Sequence, residues 1–138
     1  MEINNTNNKI YIDIKEKNNK MYKIILDTNF LLIPVKFKVD IFREIERICN
    51  FKYELYIIDK TIDELKGKKG EKLANGLIKE KRVKVIKANK EGSVDEILKN
   101  LKNDKIIVAT NDKELIKSLK FPIIRLKQKK YLEIKNVL

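Results

Sequence analysis

The stretch KIIVATNDKELIKSLKFPIIRLK, residues 105–127, decides the fold. Ile106 to Ala109 form an apolar run without polar alternation, the pattern of a strand buried on both faces. Thr110, Asn111 and Asp112 follow, residue types that start helices by offering a side-chain oxygen to free backbone N–H groups. Leu115, Ile116 and Leu119 recur at helical spacing, and the chain after Pro122 returns to an apolar strand. A buried strand, a helix and a second buried strand in so short a span make a βαβ unit with parallel strands.

The same rhythm runs upstream. KIILD (23–27), YELYII (53–58) and VKVIK (83–87) read as further strands. FLLIPVKFK reads as a mostly apolar connection, and a helix is expected over about 40–49 with Ile41, Ile45 and Ile48 on one face. A short helix carries TIDELK to Gly67, and a Lys-rich helix spans EKLANGLIKEK. Ser93 and Glu96 have capping-box spacing, so a helix should open at SVDEILKNLK. The expected fold is α/β: a three-layer α/β/α sandwich around a mainly parallel, about five-stranded sheet. Residues 1–20 stand apart, with six Asn and one alternating stretch, KIYIDIK. They read as an N-terminal extension, flexible or an edge strand, ahead of one domain over 21–138.

In parallel sheets of this kind, ligands bind beyond the carboxyl ends of the strands. Four acids fall there: Asp27 after the first strand, Glu64 and Asp95 in early turns of the following helices, and Asp112 just past the fourth strand. Each also has an ordinary structural explanation as a cap or a solvated helix residue. Asp63 competes with Glu64, and Glu96 or Glu91 with Asp95. Four negative charges gathered in one cleft repel each other unless a cation neutralises them. The chain has no His and one Cys, which leaves oxygen donors, and these suit Mg²⁺ or Mn²⁺ rather than zinc or copper. No Gly-rich phosphate loop is present, and Ser-His or Cys-His nucleophile pairs are excluded.

The formal charge is +12, from 32 Lys+Arg against 20 Asp+Glu, which favours a polyanionic partner. Lys outnumbers Arg 28 to 4, pointing to phosphate contacts rather than bidentate reading of base edges. Residues 60–90 alone hold eleven Lys/Arg against four acids. Lys66, Lys68, Lys69 and Lys72, around the Gly67–Gly70 loop, are the expected contacts to nucleic-acid phosphate, with Arg125 and Lys127 extending the track. No apolar run approaches a membrane span, and the opening residues lack the pattern of a secretory signal, so a cytoplasmic protein is expected.

Asp27-Thr28-Asn29, Glu64 in Asp-Glu-Leu, Asp95 in Asp-Glu-Ile-Leu and Asp112 in Val-Ala-Thr-Asn-Asp resemble the ordered acids of the PIN-domain ribonuclease family. The likeness covers about residues 22–133 and is nearest in kind to small archaeal Fcf1/Utp24-like PIN proteins. It implies Mg²⁺- or Mn²⁺-dependent endonucleolytic cleavage of RNA. Asp27, Asp95 and Asp112 would be the main metal-linked acids, with Glu64 completing the cluster directly or through water. Thr28, Asn29, Thr110 and Asn111 would support the site. Ribosomal precursor particles are the implied assembly in an rRNA-processing role, and a homodimer is compatible with the family. A toxin-type PIN ribonuclease and a non-catalytic RNA-binding or ribosome-assembly factor are the competing readings.

Overall fold

The computed structural model describes residues 2–3, 12–13, 21–88, 91–101 and 105–135. Strands β1 (Glu2–Ile3) and β2 (Ile12–Asp13) pair antiparallel as a small sheet of their own. The rest of the expected extension, including most of KIYIDIK, lies outside the described residues.

The main sheet has six strands in the order β5-β4-β3-β6-β7-β8. Its members are β3 (Tyr22–Leu26), β4 (Tyr53–Ile58), β5 (Lys84–Ile86), β6 (Ile106–Ala109), β7 (Ile123–Lys127) and β8 (Tyr131–Lys135). All neighbours are parallel except β8, which runs antiparallel to β7. The two central strands are the apolar ones, because they are covered on both faces: Ile24, Ile25, Leu26 and Ile107, Val108, Ala109 are all fully buried.

Side-chain alternation divides the core in two. Ile24, Leu26 and Ala109 face α1 (Ile33–Phe37), α2 (Ile41–Ile48) and α4 (Glu71–Glu80). Ile25 and Val108 face α5 (Val94–Lys99) and α6 (Lys113–Ser118). The remaining helix, α3 (Asp59–Leu65), follows β4 directly and buries Leu65 on the α1 side. This is the expected α/β/α sandwich. Among the described residues, no helix is long and apolar enough to cross a membrane.

Two expectations change. The connection FLLIPVKFK is instead a 3-10 turn at Phe30–Leu32 followed by α1, whose Pro34 sits in the first turn, where a missing N–H costs nothing. β8 adds a sixth strand. It opens on Tyr131, with 37% of its surface exposed. The free edge of β8 is covered by α2: Glu44 Oε1 accepts from Leu132 N at 2.9 Å, and Arg47 Nη2 donates to Leu132 O at 3.1 Å.

The chain leaves β3 toward β4 on one side and returns later to place β6 on the other. The gap between the carboxyl ends of β3 and β6 is therefore a topological switch point, where such sheets open a crevice.

Candidate active site

Asp27 and Asp112 come from the two strands that flank this crevice. Leu26 pairs in register with Ala109, so the next residues, Asp27 and Thr110, stand side by side. Asp27 N donates to Ala109 O at 3.0 Å, extending the ladder by one step. The Thr110 hydroxyl donates to Asp27 Oδ2 at 2.8 Å and accepts from Asp112 N at 3.1 Å. Thr110 is fully buried and Asp27 only 4% exposed.

Asp112 is the N-cap of α6, with Oδ1 accepting from Glu114 N at 3.0 Å and Leu115 N at 3.2 Å. Asp95 occupies the first turn of α5, where Ser93 and Glu96 form a complete capping box. Glu96 is thereby turned back to Ser93, and Asp95 is the acid of this turn whose carboxyl feels the charges of Asp112 and Glu64. Glu64 Oε1 accepts from the Thr28 hydroxyl at 2.7 Å, and Oε2 accepts from Val94 N at 3.2 Å. One carboxylate thus ties α3 to the β3 loop and to the start of α5. Asp63, the competing acid, is exposed and paired with Lys66 at 3.3 Å.

These acids feel one another. Burial pushes the Asp27 carboxyl up to about 6, against the Thr110 hydrogen bond, and repulsion from Asp95 and Asp112 adds to the rise. Asp95 is also raised, by burial first and then by the charges of Asp112 and Glu64; Lys99 offsets this in part. Among the described residues the ion pairs lie elsewhere, and no Lys or Arg side chain there contacts the cluster directly. As they stand, no three carboxylates among the described residues are close enough together to grip one ion. Glu64 and Asp112 are held by backbone N–H groups. The donor set, all carboxylate oxygen and carrying surplus negative charge, fits a hard divalent cation.

The supporting residues divide. Thr28 and Thr110 contact the acids directly. Asn111 instead bridges to β7, its amide donating to Leu126 O at 3.3 Å and accepting from Leu126 N at 2.7 Å. Asn29 precedes the 3-10 turn and makes no side-chain cap there. Cys49 is buried, and burial pushes its thiol up to about 12, so it offers no thiolate.

The expected RNA contacts also differ among themselves. Lys68, Lys69 and Lys72 are exposed, around a loop whose Gly67 and Gly70 hold φ of +77° and +98°. A Cβ on Gly70 would come within 2.8 Å of Val35, so the loop is seated firmly against α1. Arg125 pairs through Nε with Glu133 across the β7–β8 pair, at 2.8 Å. Lys127, on the same strand, is half-buried. Missing from the sequence reading were Lys36 and Phe37 of α1, which line a hollow next to Asp112.

Known proteins resemble this chain in sequence and fold. A family model described as a PIN like domain covers residues 24–129. Ribonuclease VapC4 of Methanocaldococcus jannaschii is 39% identical over 127 residues, spanning 83% of this chain and 97% of that protein. The solved structure of the PIN domain endonuclease Utp24 shares the fold with a TM-score of 0.73 at 23% identity, covering 85% of this chain and 96% of that one. Taken with the acids gathered at the switch point, these matches place the chain in the PIN-domain ribonuclease family.

Proposed function

We propose that this protein is a Mg²⁺- or Mn²⁺-dependent endoribonuclease of the cytoplasm, working through Asp27, Glu64, Asp95 and Asp112. The observation that carries the reading is the buried Asp27 carboxyl, repelled by Asp95 and Asp112 and without a cationic partner among the described residues. Such an arrangement is costly for the free protein and favourable once a divalent ion is bound. Asp27, Asp95 and Asp112 would hold the ion, with Glu64 contributing directly or through water. A bound ion supplies the positive charge that makes water a better nucleophile and offsets charge on the phosphate in the transition state.

The chain's own part is positioning. Thr110 fixes the Asp27 carboxylate through one hydrogen bond and the Asp112 backbone through another. Glu64 sets the position of α5 and hence of Asp95. Lys68, Lys69 and Lys72 draw the phosphate backbone toward the crevice. Water attack on phosphorus with loss of the 3′ oxygen leaves a 5′-phosphate and a 3′-hydroxyl.

The likeness to a ribonuclease VapC4 also supports a toxin-type ribonuclease as the biological setting. The Utp24-like fold is compatible with ribosomal precursor RNA as substrate. Growth arrest on expression would favour the first; accumulation of unprocessed rRNA on depletion would favour the second. The activity itself is tested with labelled single-stranded and hairpin RNA in Mg²⁺, Mn²⁺ or EDTA. Cutting in either metal and none in EDTA is expected. Salt-sensitive binding without cutting would favour a non-catalytic RNA-binding factor.

A further inference from the structure

Beside the acid cluster, on the α1 side of the sheet, lies a hollow of about 350 Å³. That volume falls in the range of small-molecule sites, about 300–1,000 Å³. Ile33, Phe37 and Leu126 give it an apolar lining, and Asp112 forms the wall it shares with the crevice. Phe37, at the end of α1, is 38% exposed. Lys36 lines the same hollow, and Lys129 Nζ sits 5.7 Å from the centre of the Phe37 ring.

The segment that brings Lys129 there is strained. Gln128 and Lys129 form the turn between β7 and β8 with φ of +52° and +56°. Hairpin turns with two positive φ values favour Asn and Gly, and ordinary side chains adopt them at a cost. Here that cost accompanies an exposed cation placed over an exposed ring, next to an acid of the candidate active site.

We propose that this hollow receives an unpaired nucleobase of the RNA next to the scissile phosphate, stacked on Phe37, with Lys36 and Lys129 holding the flanking phosphates. The inference rests on the nuclease reading for the position of the cut, but not for the binding itself. An aromatic ring flanked by lysines is how proteins take a base by its face and the backbone by its charge. The Asn111 amide, which could have read a base edge, is tied in both directions to the Leu126 backbone. Stacking itself accepts any base, since every base has a π-face. Stacking needs the base free of its partner, so single strands and loops bind in preference to duplex.

The test has two arms. In EDTA, anisotropy of a short labelled single strand of mixed sequence reads binding alone. Phe37→Ala should weaken it about tenfold, and Phe37→Trp should keep it near the wild-type value. With Mn²⁺, RNAs carrying one abasic position each are mapped for cutting. The wild type should lose cutting at the bond beside the abasic position, whereas Phe37→Ala, already slowed, should show no such dip. Unchanged binding and cutting in Phe37→Ala would overturn the subsite and leave the nuclease standing. So would equal abasic dips in the two proteins. Binding that depends on Phe37, in a protein that never cuts, would keep the subsite and remove the nuclease.

Discussion

The Thr110 hydroxyl donates to the Asp27 carboxylate at 2.8 Å, joining residues 83 apart in sequence at the ends of two neighbouring strands. The same oxygen accepts from Asp112 N, so one buried hydroxyl orders both acids that flank the switch point. This bond opposes the rise that burial imposes on Asp27. Thr110→Val keeps the shape and deletes the hydroxyl, so the Asp27 carboxyl should rise further. A hydrogen bond to a charged group contributes about 1.5–3 kcal/mol, or roughly 1–2 pH units. The acidic limb of the cleavage profile should move up by that order in Thr110→Val and stay near the wild-type position in Thr110→Ser.

Stability should carry the same signature with a definite sign. Asp27 sits at about 6 in the folded chain against an ordinary value of 3.8, so the folded state holds the extra proton between these limits. Stability is then greatest below 3.8 for this group and falls as pH rises through 6, by about 3 kcal/mol at most. Asp27→Asn cannot titrate. In EDTA its gain over wild type should be clear at neutral pH and fade toward pH about 4 in urea unfolding. Adding Mn²⁺ at neutral pH should stabilise the wild type and not the variant.

Glu64 and Asp63 separate cleanly. Glu64→Gln can keep Val94 N on its carbonyl while the Thr28 hydroxyl turns to accept from the amide, so the fold should hold while cleavage falls by about a hundredfold. Glu64→Ala removes the acceptor altogether and should also cost about 1–3 kcal/mol of stability. Asp63→Asn should change neither, because its partner is an exposed Lys66.

Much of this was legible in the sequence for physical reasons. β3 and β6 lie at the centre of the sheet, and burial on two faces leaves an uninterrupted apolar run. β8 was not legible. YLEIK alternates apolar with charged residues at an edge, and the turn before it uses Gln128 and Lys129 where Gly or Asn would have announced a hairpin. α1 was masked by Pro34, which suits a helix start as well as a loop. For the site, placement past a strand end picked out Asp27 and Asp112, while Glu64 and Asp95 each had an acidic neighbour. The capping box between Ser93 and Glu96 already held the answer for Asp95, since an acid that caps its own helix is turned away from the crevice. Strand order, and with it the hollow beside Asp112, follows only from long-range pairing.

The basic track is tested by salt. Each phosphate contact on a single strand adds about 0.7 to the slope of log affinity against log salt. Lys68→Ala with Lys69→Ala should reduce that slope by about 1.4 if both lysines bind phosphate. Arg125→Ala should leave the slope unchanged, because its guanidinium already serves Glu133.

A buried hydroxyl gives an independent check on the fold. Thr61 Oγ1 is fully buried in α3 with no hydrogen-bond partner among the described residues. Thr61→Val should leave cleavage intact and stabilise the protein by up to about 1 kcal/mol, read as a raised unfolding midpoint.

The central claim is most directly tested by single-turnover RNA cleavage in Mn²⁺ by wild type, Asp27→Asn and Asp112→Asn. Asn keeps the Thr110 bond at the first position and the α6 cap at the second, so both variants should fold and bind RNA normally. Cutting by the wild type, lost by both variants at unchanged RNA affinity, is the predicted result. Equal cutting by all three proteins, or none by the wild type on any RNA it binds, would contradict it.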